Sequence, residues 1–92
     1  MKHFPFEPKV EIVRTRTRHA WQVFATCADR PGLLSAIARA MLDHGLNLVD
    51  ARVTTLGARA EDVFVVNGEA LEDEAGREAF AAALRRVLSG GP

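Results

Sequence analysis

The sequence predicts an α+β domain in which four antiparallel strands carry two helices on one face, and three observations support it. Four stretches are rich in β-branched or alternating apolar residues, two others carry apolar residues at helical spacing, and together they run in the order ββαββα. The chain has 92 residues, 48% of them hydrophobic, enough for one domain with a real core and too few for a second.

Residues 1–8 hold two prolines and two phenylalanines without periodicity and read as a linker, so the domain spans 9–88. Residues 9–17, with Val10, Ile12 and Val13, form the first strand, and Arg18-His19 leaves room only for a hairpin turn. In the second strand, 20–28, Trp21, Val23, Ala25 and Cys27 share the face expected to meet the helices, and Gln22, Phe24 and Thr26 share the other. Leu34, Ile37, Ala38 and Met41 mark a helix over 33–44, ended by Gly45. Residues 47–56 alternate as a half-buried strand, with Val49, Ala51 and Val53 on one face and Asp50, Arg52 and Thr54 on the other. After a Gly57-Ala58-Arg59 link, 60–67 form a strand apolar on both sides, Phe64 and Val66 opposing Val63 and Val65. Asn67-Gly68 turns the chain, Glu72 or Asp73 caps a last helix, and Phe80, Leu84, Val87 and Leu88 form its buried stripe. Residues 89–92, Ser-Gly-Gly-Pro, are a tail, and a domain bracketed in this way reads as one excised from a longer chain.

This order is a variant of the ferredoxin-like βαββαβ arrangement, in which the last strand lies antiparallel to the first at a sheet edge. No strand follows the final helix here, and the extra N-terminal strand is expected to take that edge. The face without helices then carries Phe24, Val63 and Val65, an apolar patch suited to a partner sheet or neighbouring domain, or else a few scattered surface apolars.

Several function classes lose their support in the composition. Twelve basic residues balance twelve acidic ones, so the electrostatic footprint of a nucleic-acid binder is missing, and Arg14, Arg16 and Arg18 read as a solvated strand face. Cys27 is the only cysteine, which excludes an internal disulfide or thiolate metal cage, and His3, His19 and His44 lack ligand spacing. No metal, cofactor or catalytic residue is expected. No run is long enough to span a membrane and no signal-peptide core opens the chain, so a soluble, cytoplasmic protein is expected.

The stretch that carries chemistry is Asp29-Arg30-Pro31-Gly32-Leu33-Leu34, between the second strand and the first helix. Asp29 can cap the helix, Pro31 is tolerated in a first turn, and Gly32 leaves the backbone open to close approach. A helix start presents unpaired amides and partial positive charge, which suit a carboxylate or phosphate. Read alone, the same residues are also an ordinary strand-to-helix turn.

These residues, with Gly45-Leu46-Asn47-Leu48, Ala51-Arg52-Val53-Thr54-Thr55 and Asp62-Val63-Phe64-Val65-Val66, resemble the ACT domain, the small-molecule-sensing module of amino-acid metabolism, over about residues 9–88. The Val-Glu-Ile-Val strand at 10–13 and the Asp-Val-Phe-Val-Val strand at 62–66 narrow the resemblance to the C-terminal ACT domain of the bacterial bifunctional uridylyltransferase/uridylyl-removing family, whose members modify the nitrogen-regulatory PII protein. The resemblance implies a ferredoxin-like ACT fold and a parent with nucleotidyltransferase, phosphohydrolase and two ACT domains that report glutamine. None of the parent's catalytic signatures is present, so the resemblance implies a regulatory segment that is not an enzyme by itself.

On this reading the amides of Gly32, Leu33 and Leu34 hold the α-carboxylate of an amino acid, glutamine being the first candidate. Asp29 attracts its ammonium, Pro31 shapes the loop, and Asn47 reads polar groups or serves as a turn residue. Arg30 is expected in solvent, or else steering an anionic ligand or pairing with a neighbouring domain. Expected partners are an amino acid, another ACT domain or the parent's catalytic domains, and a second copy in a homodimer. A docking module without a metabolite is the alternative. An RNA-recognition-like sheet would need stacking aromatics and a basic surface. A small acylphosphatase-type enzyme would need a phosphate loop that Arg30 and Asn47 match only superficially.

Overall fold

The computed structural model describes residues 7–16 and 19–90. Most of the expected linker, part of the first hairpin turn and the last two tail residues lie outside them. The order is β1 (Lys9–Arg14), β2 (Trp21–Ala28), α1 (Leu33–Asp43), β3 (Asn47–Leu56), β4 (Arg59–Asn67), a single 3-10 turn (Glu69–Leu71) and α2 (Glu74–Leu88). The strands form one antiparallel sheet in the order β1-β2-β4-β3, so β1 takes the edge position expected of it. It is shorter than the 9–17 read from the sequence.

Alternation along β2 and β4 builds the sheet centre. Trp21, Val23, Ala25 and Cys27 on β2, with Ala60, Phe64 and Val66 on β4, are buried against the helices. Ile37 and Met41 from α1, and Phe80, Leu84 and Leu88 from α2, close the core from the other side. Burial of these side chains, each contributing about 1.5–3 kcal/mol before entropy is counted, is what fixes register, because a slip of one residue would turn Val23 and Phe64 to solvent.

Two expectations need correction. The buried stripe of α1 is Leu33, Ile37, Ala40 and Met41, whereas Leu34 and Ala38 point outward. Both faces of α1 are rich in apolar residues, so periodicity alone leaves the phase ambiguous by one position. Strand β3, expected to be half-buried, is exposed almost throughout. It is an edge strand with pairing on one side only, and an irregularity between Leu48 and Asp50 resets its register on β4.

Candidate functional site

Asp29 leaves β2 with its amide bonded to Ala58 O at 2.8 Å, which ties the loop to the β3–β4 hairpin. The chain then makes a tight turn in which Leu33 N donates to Arg30 O at 3.3 Å. Gly32 sits in the left-handed region at φ 79°, ψ 5°, the values a type II turn requires at its third residue, with Pro31 in the favoured second place. The turn displaces the helix start. Gly32, not Asp29, occupies the N-cap position, and no side chain caps the helix. Asp29 is exposed and free of that role.

The amides follow from this geometry. Leu33 N is used in the turn and Ala36 N by Gly32 O at 3.0 Å, while Gly32, Leu34 and Ser35 N–H have no acceptor among the described residues. Helix starts normally satisfy such donors with a cap or water. Here they border a shallow cleft of about 280 Å³ lined by the loop, by the exposed Leu34, and by Val53, Thr55, Ala60 and Asp62 of the hairpin. A space of this size suits a metabolite smaller than a drug-sized ligand.

Asp62 is the site residue that sequence reasoning misses. Its side chain lies in phase with Ala60, Phe64 and Val66 on the helix-facing side of β4, and it is only 3% exposed. One oxygen, Oδ1, accepts from Thr54 N at 3.2 Å. The second accepts nothing, and no cation lies within 4.0 Å of the carboxylate among the described residues. Burial, and to a lesser degree the Asp29 charge, hold its carboxyl above the ordinary aspartate value of 3.8, against the opposing pull of the Thr54 amide. Cys27 lies in the same charged neighbourhood. Burial first and Asp62 second push its thiol up, and it serves as a small core residue. The available signal for Asp62 is a lone acid in the apolar phase of a buried strand.

Arg30 does not stand in solvent. It is half-buried, its Nη2 donates to Val87 O at 2.6 Å near the C-terminal end of α2, and its buried Nε has no acceptor. A guanidinium on a last-turn carbonyl is favoured by the helix dipole, so this contact fastens the loop to α2.

The structure thus brings Asp29, Arg30, Gly32, Leu33 and Leu34 together along the cleft, with Pro31 shaping the turn. Asn47 is elsewhere, at the opposite end of β3, where its Nδ2 donates to Asn67 Oδ1 at 3.1 Å. It lies six positions from Val53 in the cleft, roughly 20 Å along a strand. Phe24, Val63 and Val65 lie on the helix-free face as half-buried residues, beside Gln22, Asp50 and Arg52. The most exposed large apolar side chains lie instead on α1 and β3. Leu42 is 72% and Leu34 47% exposed on α1, and Leu48, Val49, Val53 and Leu56 are exposed along β3. Among the described residues no group of three potential metal ligands comes together, and no helix is long and apolar enough to cross a membrane.

A four-stranded sheet backed by two helices, with an open glycine loop at the first helix start, defines the chain as a ferredoxin-like module of the kind built around a small cleft. The model of the ACT domain family matches residues 21–88, and the chain belongs to that family. It is 41% identical over 87 residues to the bifunctional uridylyltransferase/uridylyl-removing enzyme of Bordetella pertussis, an alignment that takes in 95% of this chain and 10% of that protein. Enzymes of the same description from Chromobacterium violaceum and Nitrosospira multiformis are 43% identical over 88 residues and 38% over 92, covering 96% and 100% of this chain and again 10% of each relative. The chain therefore spans about one tenth of the length of the curated relatives it matches.

Proposed function

We propose that the chain is the amino-acid-sensing ACT segment of a cytoplasmic bifunctional uridylyltransferase/uridylyl-removing enzyme that controls a PII protein in nitrogen regulation, and that its ligand is glutamine. The observation that carries this reading is the row of unacceptored amides at Gly32, Leu34 and Ser35 opening on a metabolite-sized cleft. The likeness to enzymes of that description over nearly the whole chain supplies the parent. A carboxylate on those amides takes up donors that the helix leaves unpaired and gains from the helix dipole.

Regulation requires that the ligand bind two arrangements of the parent with different affinity. A site completed by a second module meets that requirement, because some contacts then exist only in the docked arrangement. The exposed edge and apolar side chains of β3 favour docking there. Antiparallel pairing of two β3 strands about a two-fold axis sets the start of one, Asn47, beside the end of the other, Leu56, next to the cleft. Asn47 then serves the site of its neighbour. The same exposed α1 and β3 side chains support the second reading, a docking module that takes no metabolite.

An amide NMR titration with L-glutamine, using D-glutamine and L-glutamate as controls, separates the two. Stereoselective shifts at Gly32, Leu34 and Ser35 are expected. Absence of shifts at millimolar ligand, both in this chain and in a longer protein carrying two ACT modules in tandem, would leave docking as the function.

A further inference from the structure

Within the amino-acid-binding reading above, on which it rests, we infer that Asp62 holds the ligand's α-ammonium group while the α1 amides hold its carboxylate. A charge taken out of water is expensive unless it is paired, and buried acids in folded domains accordingly find a cation or several donors. Asp62 has neither. It has one backbone donor, Thr54 N, and the nearby guanidinium of Arg30 is directed to Val87 O instead. Neither packing nor an internal ion pair accounts for an acid at this position of β4, where its neighbours in phase are Ala60 and Phe64.

The surroundings select the kind of group that would complete it. The cleft is lined by two carboxylates, Asp62 and Asp29, and by the uncapped start of α1 together with Arg30. A zwitterion offers a partner to both kinds of group. A plain anion would leave the two carboxylates without a partner, and a plain cation would leave the amides without acceptors. Primary ammonium also fits the shortfall at Oδ2, since it brings three donors from one atom and can serve Asp29 as well. Asp62 therefore distinguishes an amino acid from its deaminated counterpart, which brings its carboxylate no donor.

The test is calorimetric titration of the wild-type chain and Asp62→Asn with L-glutamine and with glutaramate, the same molecule lacking the amino group. Wild type should prefer glutamine, and the variant should bind glutamine roughly tenfold to a hundredfold more weakly while binding glutaramate as before. If the variant does not fold, the 13C resonance of the Asp62 carboxyl in the wild type takes its place, and glutamine should move it where glutaramate does not. Glutamine bound with unchanged preference in the variant, or without moving that resonance, overturns the role of Asp62 and leaves amino-acid sensing standing. Failure of the wild type to bind either compound, both as this chain and within a longer protein carrying two ACT modules in tandem, removes both.

Discussion

The two helices of this domain begin in opposite ways. At α2, Asp73 is the N-cap and its carboxylate accepts from Gly76 N at 2.7 Å. Arg77 donates to Leu71 O at 2.8 Å and lies 4.5 Å from the centre of the Trp21 ring, whose Nε1 reaches Glu72 at 3.4 Å. The cap takes up the third amide of the helix, Gly76 N, and the exposed Glu74 and Ala75 N–H are left to solvent. At α1 a type II turn delivers the chain into the helix through left-handed Gly32, no side chain caps it, and the free amides face a cleft. One start is capped by a side chain, and the cap contributes stability. The other leaves about the worth of a cap, roughly 1 kcal/mol, unrealised until something binds.

The glycines at these starts make the contrast measurable, and the larger effect belongs to the capped one. Gly76 lies inside α2, where an added Cβ would run into the carbonyl of Ala70 and come within 2.9 Å of Asp73 Oδ1. Gly76→Ala should therefore lower stability by about 3 kcal/mol, as overpacking against backbone does, although alanine is the better helix former. Urea unfolding measures it. An unchanged midpoint would mean that the 3-10 turn yields easily and that α2 is not anchored as described.

Gly32 is the converse case. Nothing lies within 4 Å of its missing Cβ, and only its φ of 79° resists a side chain. Gly32→Ala should then lower stability by about 1 kcal/mol, the strain of a left-handed L residue, and Gly32→Val by more, because β-branching tolerates that region poorly. If thermal melts place Gly32→Ala below Gly76→Ala, conformational strain outweighs steric exclusion here and the ranking of the two starts is reversed.

The parts legible in the sequence are those set by local pattern. Strict alternation marks the buried faces of β2 and β4, and the Asp73 cap with the Phe80, Leu84 and Leu88 stripe marks α2. Where burial depends on what lies alongside, pattern fails. Val49, Ala51 and Val53 alternate as a half-buried strand does, yet β3 has no neighbour on its outer side. The phase of α1 is blurred because Leu33, Leu34, Met41 and Leu42 put apolar residues on both faces. At the site, Asp29 carries the chemistry of an N-cap, but the Pro31-Gly32 turn inserts itself between Asp29 and the helix. Arg30 finds a carbonyl 57 residues away, and a long-range bond of that kind leaves no trace in spacing.

The smallest expected effect concerns the acid beneath the open start, and it sharpens the comparison through pH. Asp73 is exposed and accepts a cap bond, whereas Asp62 is buried with its carboxyl held above 3.8 by desolvation. The groups acting on it are Asp29 from the loop, Cys27 from β2 and the Thr54 amide from β3, and Arg30, which lines the same cleft, is turned to Val87 O. A raised carboxyl binds its proton more tightly in the folded state, so stability declines as pH rises from the ordinary aspartate value through the raised one. Asp62→Asn removes that decline and can keep the bond from Thr54 N. Relative to wild type, the variant should gain stability as pH is raised from 3.8 upward and hold that gain at neutral pH, as urea midpoints across pH would record. A variant that loses stability at neutral pH would show that the ionised carboxylate is stabilised within the fold. Two aspartates at two helix starts would then play the same role, and the cleft would have no standing need for a cation.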